Sequence, residues 1–273
     1  MVRLLPAATH RALRNRRAVS DLTARARALA ARSGRLFYSP LRPVDLGAGR
    51  DYAMPRFLFI GPGQGAAFLR LGIFAGIHGD EEAGCLAAMA LLEHLVAEPE
   101  HARGYEIFIY PVCNPTGYED GTRFNRRGAD LNREFWKQSF HPEVRVLEEE
   151  LSGMHFDGLV ALHADDTSEG TYGFVRGAAL TRHVLLPALE AAEAHLPRNS
   201  DRIIDGFQAA NGIITGGYGG ILSAPPQANP QPFEIVFETP QMAPLGLQVG
   251  AHVAALLSVL ETYRSFISYG QDL

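Results

Sequence analysis

Two residues three apart, His78 and Glu81, form the clearest chemical pattern in this chain. They lie in Gly76-Ile-His-Gly-Asp-Glu-Glu-Ala-Gly84, where a strand-like apolar run from Leu69 to Ile77 gives way to helical spacing at Cys85, Ala88, Met89, Leu92, Leu95 and Val96. At such a junction, side chains three apart can converge on one point above a sheet. Imidazole and carboxylate both suit Zn²⁺, and a catalytic zinc takes three protein ligands and leaves a position for water. A third donor must therefore come from elsewhere in the chain. The plainer reading of an isolated His-x-x-Glu is a surface pair or a helix cap; the flanking glycines and the strand end favour ligation.

A second candidate closes the segment Phe233-Glu-Ile-Val-Phe-Glu-Thr-Pro240. Alternation puts Phe233, Ile235 and Phe237 on one face and Glu234, Val236 and Glu238 on the other, so Glu238 can project from the strand end into a cleft. Beside a metal that acidifies water, such a carboxylate can act as a general base, with Glu234 as the competing candidate. Arg123, Arg126, Arg127 and Arg133 are either a solvated charged loop or a set of planar donor forks for carboxylates and oxyanions. His163 ends the short apolar strand Leu159 to Leu162, where a lone histidine is either a core group or a ligand.

Three further segments follow His-x-x-Glu in order: Asn114-Pro-Thr-Gly117, Arg123-Phe-Asn-Arg126 and Gly128-Ala-Asp-Leu-Asn-Arg133. With them the chain resembles the zinc carboxypeptidases of the carboxypeptidase A type, over most of its length from about Leu69 to Pro240. That resemblance implies one zinc held by His78, Glu81 and His163, Glu238 as the catalytic glutamate and Arg123 at the oxyanion. It assigns Asn132 and Arg133 to the substrate's terminal carboxylate, and Tyr218, in Gly216-Gly-Tyr-Gly-Gly220, to the family's mobile tyrosine. The implied activity is hydrolysis of a peptide or amide bond with release of a C-terminal amino acid. The succinylglutamate desuccinylase/aspartoacylase branch, made of N-acyl amino acid deacylases, shares His-x-x-Glu and Asp-Leu-Asn-Arg and is the alternative. A binding protein that kept the cleft without activity would have lost a ligand or the base, and all of these are present. After His163 the segment Ala164-Asp165-Asp166-Thr-Ser-Glu169 is unusually acidic and suits either a cationic substrate group or a turn with a helix cap.

The elements that must position these residues alternate along the chain. An amphipathic helix is expected over Ser20 to Ser33 and strands over Arg35 to Val44, Phe57 to Ile60, Leu69 to Ile77 and Tyr105 to Val112. Leu159 to Leu162 and Phe233 to Phe237 complete the strands, and Leu245 to Ile267 reads as a closing helix. The expected fold is α/β: one domain over residues 1–273, with a mixed, mostly parallel twisted sheet flanked by helices and residues 1–48 as a helix and arm packed on it. His78 and His163 fall at carboxyl ends of strands, where such sheets bind ligands. Gly61-Pro-Gly-Gln-Gly65 lacks the Gly-Lys-Ser/Thr of a phosphate loop and reads as a hairpin turn.

Composition narrows the class. The chain has 273 residues, 47% of them hydrophobic, with a formal charge of −5 and a pI near 6.1. That charge excludes a basic stripe for nucleic acid, so a peptide or N-acyl amino acid is the expected partner. Cys85 and Cys113 read as buried free thiols. No run long enough to span a bilayer and no signal core is evident, so neither a membrane partner nor export is expected, and cytoplasmic placement is the expectation. Arg3, Arg11, Arg14, Arg16 and Arg17 superficially suit a transit peptide, with a solvated arm as the plainer reading.

Overall fold

A computed structural model describes residues 17–46, 51–63 and 68–271. Its strands are β1 (Leu36–Tyr38), β2 (Val44–Asp45), β3 (Asp51–Tyr52), β4 (Phe57–Ile60), β5 (Leu69–Ala75), β6 (Tyr105–Tyr110), β7 (Gly158–Asp165), β8 (Tyr172–Val175), β9 (Ile203–Ile204), β10 (Phe207–Ala210), β11 (Ile213–Ile214) and β12 (Phe233–Pro240). Among the described residues ten of them form one sheet in the order β1-β4-β6-β5-β7-β12-β8-β11-β10-β9, while β2 pairs with β3. The four central strands β6, β5, β7 and β12 run parallel. β4 and β8 join the centre antiparallel from either side. The helices are α1 (Val19–Ala30), α2 (Glu82–Ala97), α3 (Pro115–Asp120), α4 (Pro142–Met154), α5 (Ala178–Leu180), α6 (Leu186–Ala192) and α7 (Leu245–Gln271). The fold is a single α/β domain, as expected from the sequence.

Period-two alternation sorts the central strands between two apolar layers. Leu71 and Ile73 of β5, Ile107 and Ile109 of β6, Val160 and Leu162 of β7, and Ile235 and Phe237 of β12 join the layer containing α2, α6 and α7. Phe74, Phe108, Tyr110 and Leu159 face the other layer with α4. His163 and Glu238 share Leu159's phase. They are paired in register across β7 and β12, so both emerge on the same face at the carboxyl end of the sheet.

Several expectations change in detail. The stretch from Arg35 to Val44 is broken at Pro40 and Pro43 into the short β1 and the start of β2. Gly61-Pro-Gly does not begin a hairpin, because β6 lies between β4 and β5 and the chain has to cross over. Gln64 and Gly65 of that segment lie outside the described residues. Gly61 itself faces the Ala102 carbonyl so closely that an added Cβ would fall 1.7 Å from it. The helices α4 and α6 and the β8–β11 excursion occupy segments for which the sequence suggested no element. By length and composition Leu245–Ser268 in α7 could cross a membrane, which corrects the expectation that no such run exists. In this fold Ala251, Ala255, Leu256, Val259 and Leu260 of that helix are buried in the core, and it packs on α2 and α6.

Residues Arg3, Arg11, Arg14 and Arg16 lie outside the described part. Arg17 is not a free cation on a solvated arm. It donates to the Gly79 carbonyl at 2.9 Å, pairs with Glu82 at 2.8 Å and lies over the Tyr118 ring. Arg17 is thereby tied to the loop that carries His78 and Glu81. Cys85 and Cys113 are both buried and unbridged.

Candidate metal centre and active site

After β5 the chain turns sharply at Gly76, whose φ of +62° suits glycine. It then passes His78 and meets the backbone of Gly117, where a Cβ on Gly79 would fall 1.9 Å from the Gly117 carbonyl carbon. Asn114 explains the Asn-Pro-Thr-Gly motif. Its Oδ1 accepts from the Gly117 amide at 2.9 Å as the cap of α3, and its Nδ2 donates to the carbonyls of Ile77 and Arg123. One buried amide therefore pins the His-x-x-Glu loop, α3 and the Arg123 loop together.

His78, Glu81 and His163 meet at this point, and all three are buried. Glu81 Oε1 lies 2.5 Å from His78 Nδ1, and Oε2 lies 2.9 Å from His163 Nδ1. The three donor atoms all fall within 4.8 Å of one another. His78 turns its other nitrogen, Nε2, to Asp130 at 3.2 Å. A carboxylate outside the triad that orients a ligating imidazole is the usual support of a metal ligand. Burial opposes ionisation of Glu81, yet the two imidazoles outweigh it and hold its pKa down at about 2. Burial also opposes protonation of both histidines: at His78 the Glu81 and Asp130 carboxylates win and raise the pKa, whereas at His163 burial wins and lowers it. A buried carboxylate between two inward-facing imidazole nitrogens is a donor set that fits a divalent cation.

Arg123 faces the same point. Its Nε and Nη2 donate to Asp130 Oδ2 at 3.1 and 3.0 Å, while Nη1 lies 3.7 Å from Glu81 Oε1. Asn132 lines the cavity, and its Oδ1 accepts from the Leu222 amide at 2.8 Å, which leaves its amide N–H group as a donor. Arg133 donates to the Asn132 carbonyl and stacks its guanidinium 4.7 Å above the Tyr218 ring. Neither partner neutralises it. Arg126 is directed elsewhere, to Asp120 and Glu119, and Arg127 is exposed outside the cavity. Asn125 is structural: its Oδ1 accepts from the Arg127 and Ala129 amides and its Nδ2 donates to Glu143.

A cavity of about 390 Å³ connects these groups with Glu238, Tyr172, Tyr218, Asp165, Asp166 and Asp205. Burial, followed by the Glu81, Asp165 and Asp205 carboxylates, pushes the Glu238 pKa well above the usual range. Glu234 is occupied differently, since its Oε1 accepts from the Ala224 amide at 2.6 Å. It lines a neighbouring cavity rather than this one. The Tyr218 hydroxyl donates to Asp205. Tyr172 stands opposite Glu238 in the β8–β12 register and donates to Asp165 at 2.8 Å. The other oxygen of Asp165 closes a turn onto Thr167, so the acidic segment serves local structure and the cavity wall together. Glu169 does not line the cavity.

Residues 67–203, just over half of the chain, match the model of the succinylglutamate desuccinylase/aspartoacylase catalytic domain. The chain belongs to that family. The match contains His78, Glu81, Arg123, Asn132, Arg133 and His163 and ends before Tyr218 and Glu238. A search of curated protein sequences finds no match. Among solved structures, a candidate metallopeptidase from Shewanella amazonensis SB2B superposes with a TM-score of 0.71 at 24% identity, over 88% of this chain and 90% of that one. A metallo-carboxypeptidase from Burkholderia cenocepacia gives 0.67 at 17% identity, over 90% and 68% of the two chains. One from Pseudomonas aeruginosa, in complex with (2-guanidinoethylmercapto)succinic acid, gives 0.60 at 19%, over 88% and 68%. These likenesses place the desuccinylase/aspartoacylase domain on the carboxypeptidase fold. The family match, taken with the buried triad, supports a metal-dependent hydrolase.

Behind the site His252 is fully buried on α7, with Nε2 3.2 Å from the Thr239 hydroxyl and Nδ1 without a partner. Burial, helped by His163, pushes its pKa down to about 3. The unfolded chain takes up this proton near pH 6.5 and the folded chain does not, so the stability from His252 is complete above that pH and is lost as pH falls towards about 3. The slope reaches at most about 1.4 kcal/mol per pH unit. His252→Gln, which cannot ionise, is expected to flatten the fall in melting temperature between about pH 7 and 5. Identical slopes for parent and variant would contradict this.

Proposed function

We propose that this chain hydrolyses an amide bond adjacent to a free carboxylate and releases a C-terminal amino acid, as a zinc metallocarboxypeptidase does. The observation that carries this reading is the shared cavity, which brings the His78–Glu81–His163 triad, Arg123, Glu238 and the unneutralised Arg133 to one space. His78, Glu81 and His163 would hold the ion. Zinc there would supply Lewis-acid polarisation of the scissile carbonyl and acidify water. Glu238 accepts the proton of the attacking water and passes it to the leaving amine, a role suited to a carboxyl whose proton affinity is raised by its surroundings. Arg123, held by Asp130 and directed at the triad, stabilises the oxyanion. Arg133 and the Asn132 amide grip the carboxylate of the departing residue. Tyr218 shields that grip from the side of Asp205.

Arg133→Ala is expected to lower kcat/KM for blocked dipeptides roughly 10- to 150-fold, mainly through KM, because a hydrogen bond to a charged group contributes about 1.5–3 kcal/mol. Substrates ending in a carboxamide should be affected far less. Equal losses on both would remove Arg133 from this role.

The name of the matched family supplies a second reading, in which the acyl side is a simple acid and the enzyme is an N-acyl amino acid deacylase. Incubation of the zinc-loaded protein with N-benzoyl dipeptides, N-acetylaspartate and N-succinylglutamate, followed by mass spectrometry of the products, separates the two. Free amino acid from the dipeptides supports the peptidase reading. Hydrolysis confined to the two acyl amino acids supports the deacylase, and cleavage of neither overturns both.

A further inference from the structure

The cavity wall carries more carboxyl groups than guanidinium groups. Six carboxyl groups line it, those of Asp80, Glu81, Asp165, Asp166, Asp205 and Glu238, against the two guanidinium groups of Arg123 and Arg133, and burial makes Glu238 hard to ionise. Glu81 is committed to the triad. Arg123 is committed to Asp130 through two hydrogen bonds to one oxygen. Arg133 is then the cation left for a substrate carboxylate, and it can neutralise one.

Among the described residues no basic side chain pairs with Asp165, Asp166 or Asp205. Asp165 and Asp205 are each held by a tyrosine hydroxyl, from Tyr172 and Tyr218, which fixes their direction without cancelling their charge. Both line the same cavity as Glu238, and Tyr172, which donates to Asp165, stands opposite Glu238 in the β8–β12 register. Asp80 Oδ1 is buried without a hydrogen-bond partner. These groups flank two independent anchors, the triad and Arg133, which fix where an amide substrate lies. Like charges set against each other in a partly enclosed site are strongly disfavoured, whereas a fixed opposite charge gives orientation and specificity.

Resting on the reading of this cavity as an amidase site, we infer that the preferred substrate carries a positive charge, an ammonium or guanidinium, as well as its free carboxylate. The cation lies against Asp165 and Asp205, and polyanionic N-acyl amino acids such as succinylglutamate are disfavoured although the family description names that compound. The same chemistry could come from a basic side chain on the departing residue or from a free α-amino group on the acyl side.

The test uses pairs that differ by one charge on the zinc-loaded protein. N-benzoyl-Gly-Lys against N-benzoyl-Gly-norleucine reads a side-chain cation, Ala-norleucine against N-acetyl-Ala-norleucine reads a free amine, and N-succinylglutamate supplies the polyanion. In at least one pair the cationic member should have a kcat/KM at least tenfold higher, with the gap narrowing as salt is raised. Asp205→Asn and Asp165→Asn should each reduce that ratio, and succinylglutamate should be the poorest substrate. Binding of the same compounds to Glu238→Gln, read by calorimetry, separates the two ideas. A cationic preference in binding with no cleavage by the parent overturns the amidase reading and supports the charge inference. Equal binding of charged and neutral partners, tighter binding of succinylglutamate, or binding of none overturns the charge inference.

Discussion

Glu238→Gln is expected to remain folded and metal-loaded while turnover falls by at least roughly 10²- to 10⁴-fold, the usual contribution of general acid–base catalysis. Glutamine keeps the size of the side chain and can still hydrogen-bond, but it cannot accept the water's proton. Substrate binding should change little, because the carboxylate grip proposed for Arg133 and Asn132 is left intact. The melting temperature should hold or rise, since the replaced carboxyl is surrounded by the like charges of Glu81, Asp165 and Asp205 and is hard to ionise there. Turnover within a few-fold of the parent would move the base elsewhere. Loss of metal together with activity would make Glu238 part of the coordination shell.

His163→Ala has the second large effect, on metal binding and on the fold. With one of three donors gone, the remaining pair no longer makes a tight catalytic site, and the purified variant should hold little metal. It also strands a buried charge. Glu81 is 4% exposed and owes its low pKa first to His163, then to His78. Removing the imidazole that hydrogen-bonds this buried carboxylate costs about 1.5–3 kcal/mol. The metal-free variant should therefore melt well below the metal-free parent, and adding Glu81→Gln should recover part of the loss by removing the stranded charge. Recovery in the double variant is the signature of coupling between the two positions. Full metal retention in His163→Ala, or a double variant less stable than the single one, would contradict the arrangement.

The catalytic spacing was more legible in the sequence than its support. Alternation along Phe233–Phe237 was enough to place Glu238 off the core face, because period two is a local property of the chain. His163, which lies inside β7 and not past its end, reads as a core group or a ligand until the resemblance is drawn. Their meeting across the β7–β12 register depends on which strands become neighbours, and local patterns do not encode this. Asp130 was visible within Gly-Ala-Asp-Leu-Asn-Arg but read as part of a motif; its bonds to both His78 and Arg123 emerge when loops fifty residues apart close on each other. Tyr172 and Asp205 come from the β8–β11 excursion, whose two- and four-residue strands carry too little periodicity to be read. Arg17 shows the same blindness from the other side: in a run of arginines it is indistinguishable from its neighbours until Gly79 and Glu82 are brought to it. The acidic turn at Asp165 was legible as a charge excess, and its position in the cavity wall gives that excess a consequence.

The most direct measurement is the metal-to-protein ratio of the purified chain, taken together with amino acid release from a blocked dipeptide before chelation, after it and after zinc is returned. About one divalent ion per chain is expected, because three protein donors make one catalytic site. Release should disappear with the ion and return with it, while the fold persists throughout. Continued release from chelator-treated protein shown to be metal-free would contradict a metal-dependent reaction at His78, Glu81 and His163.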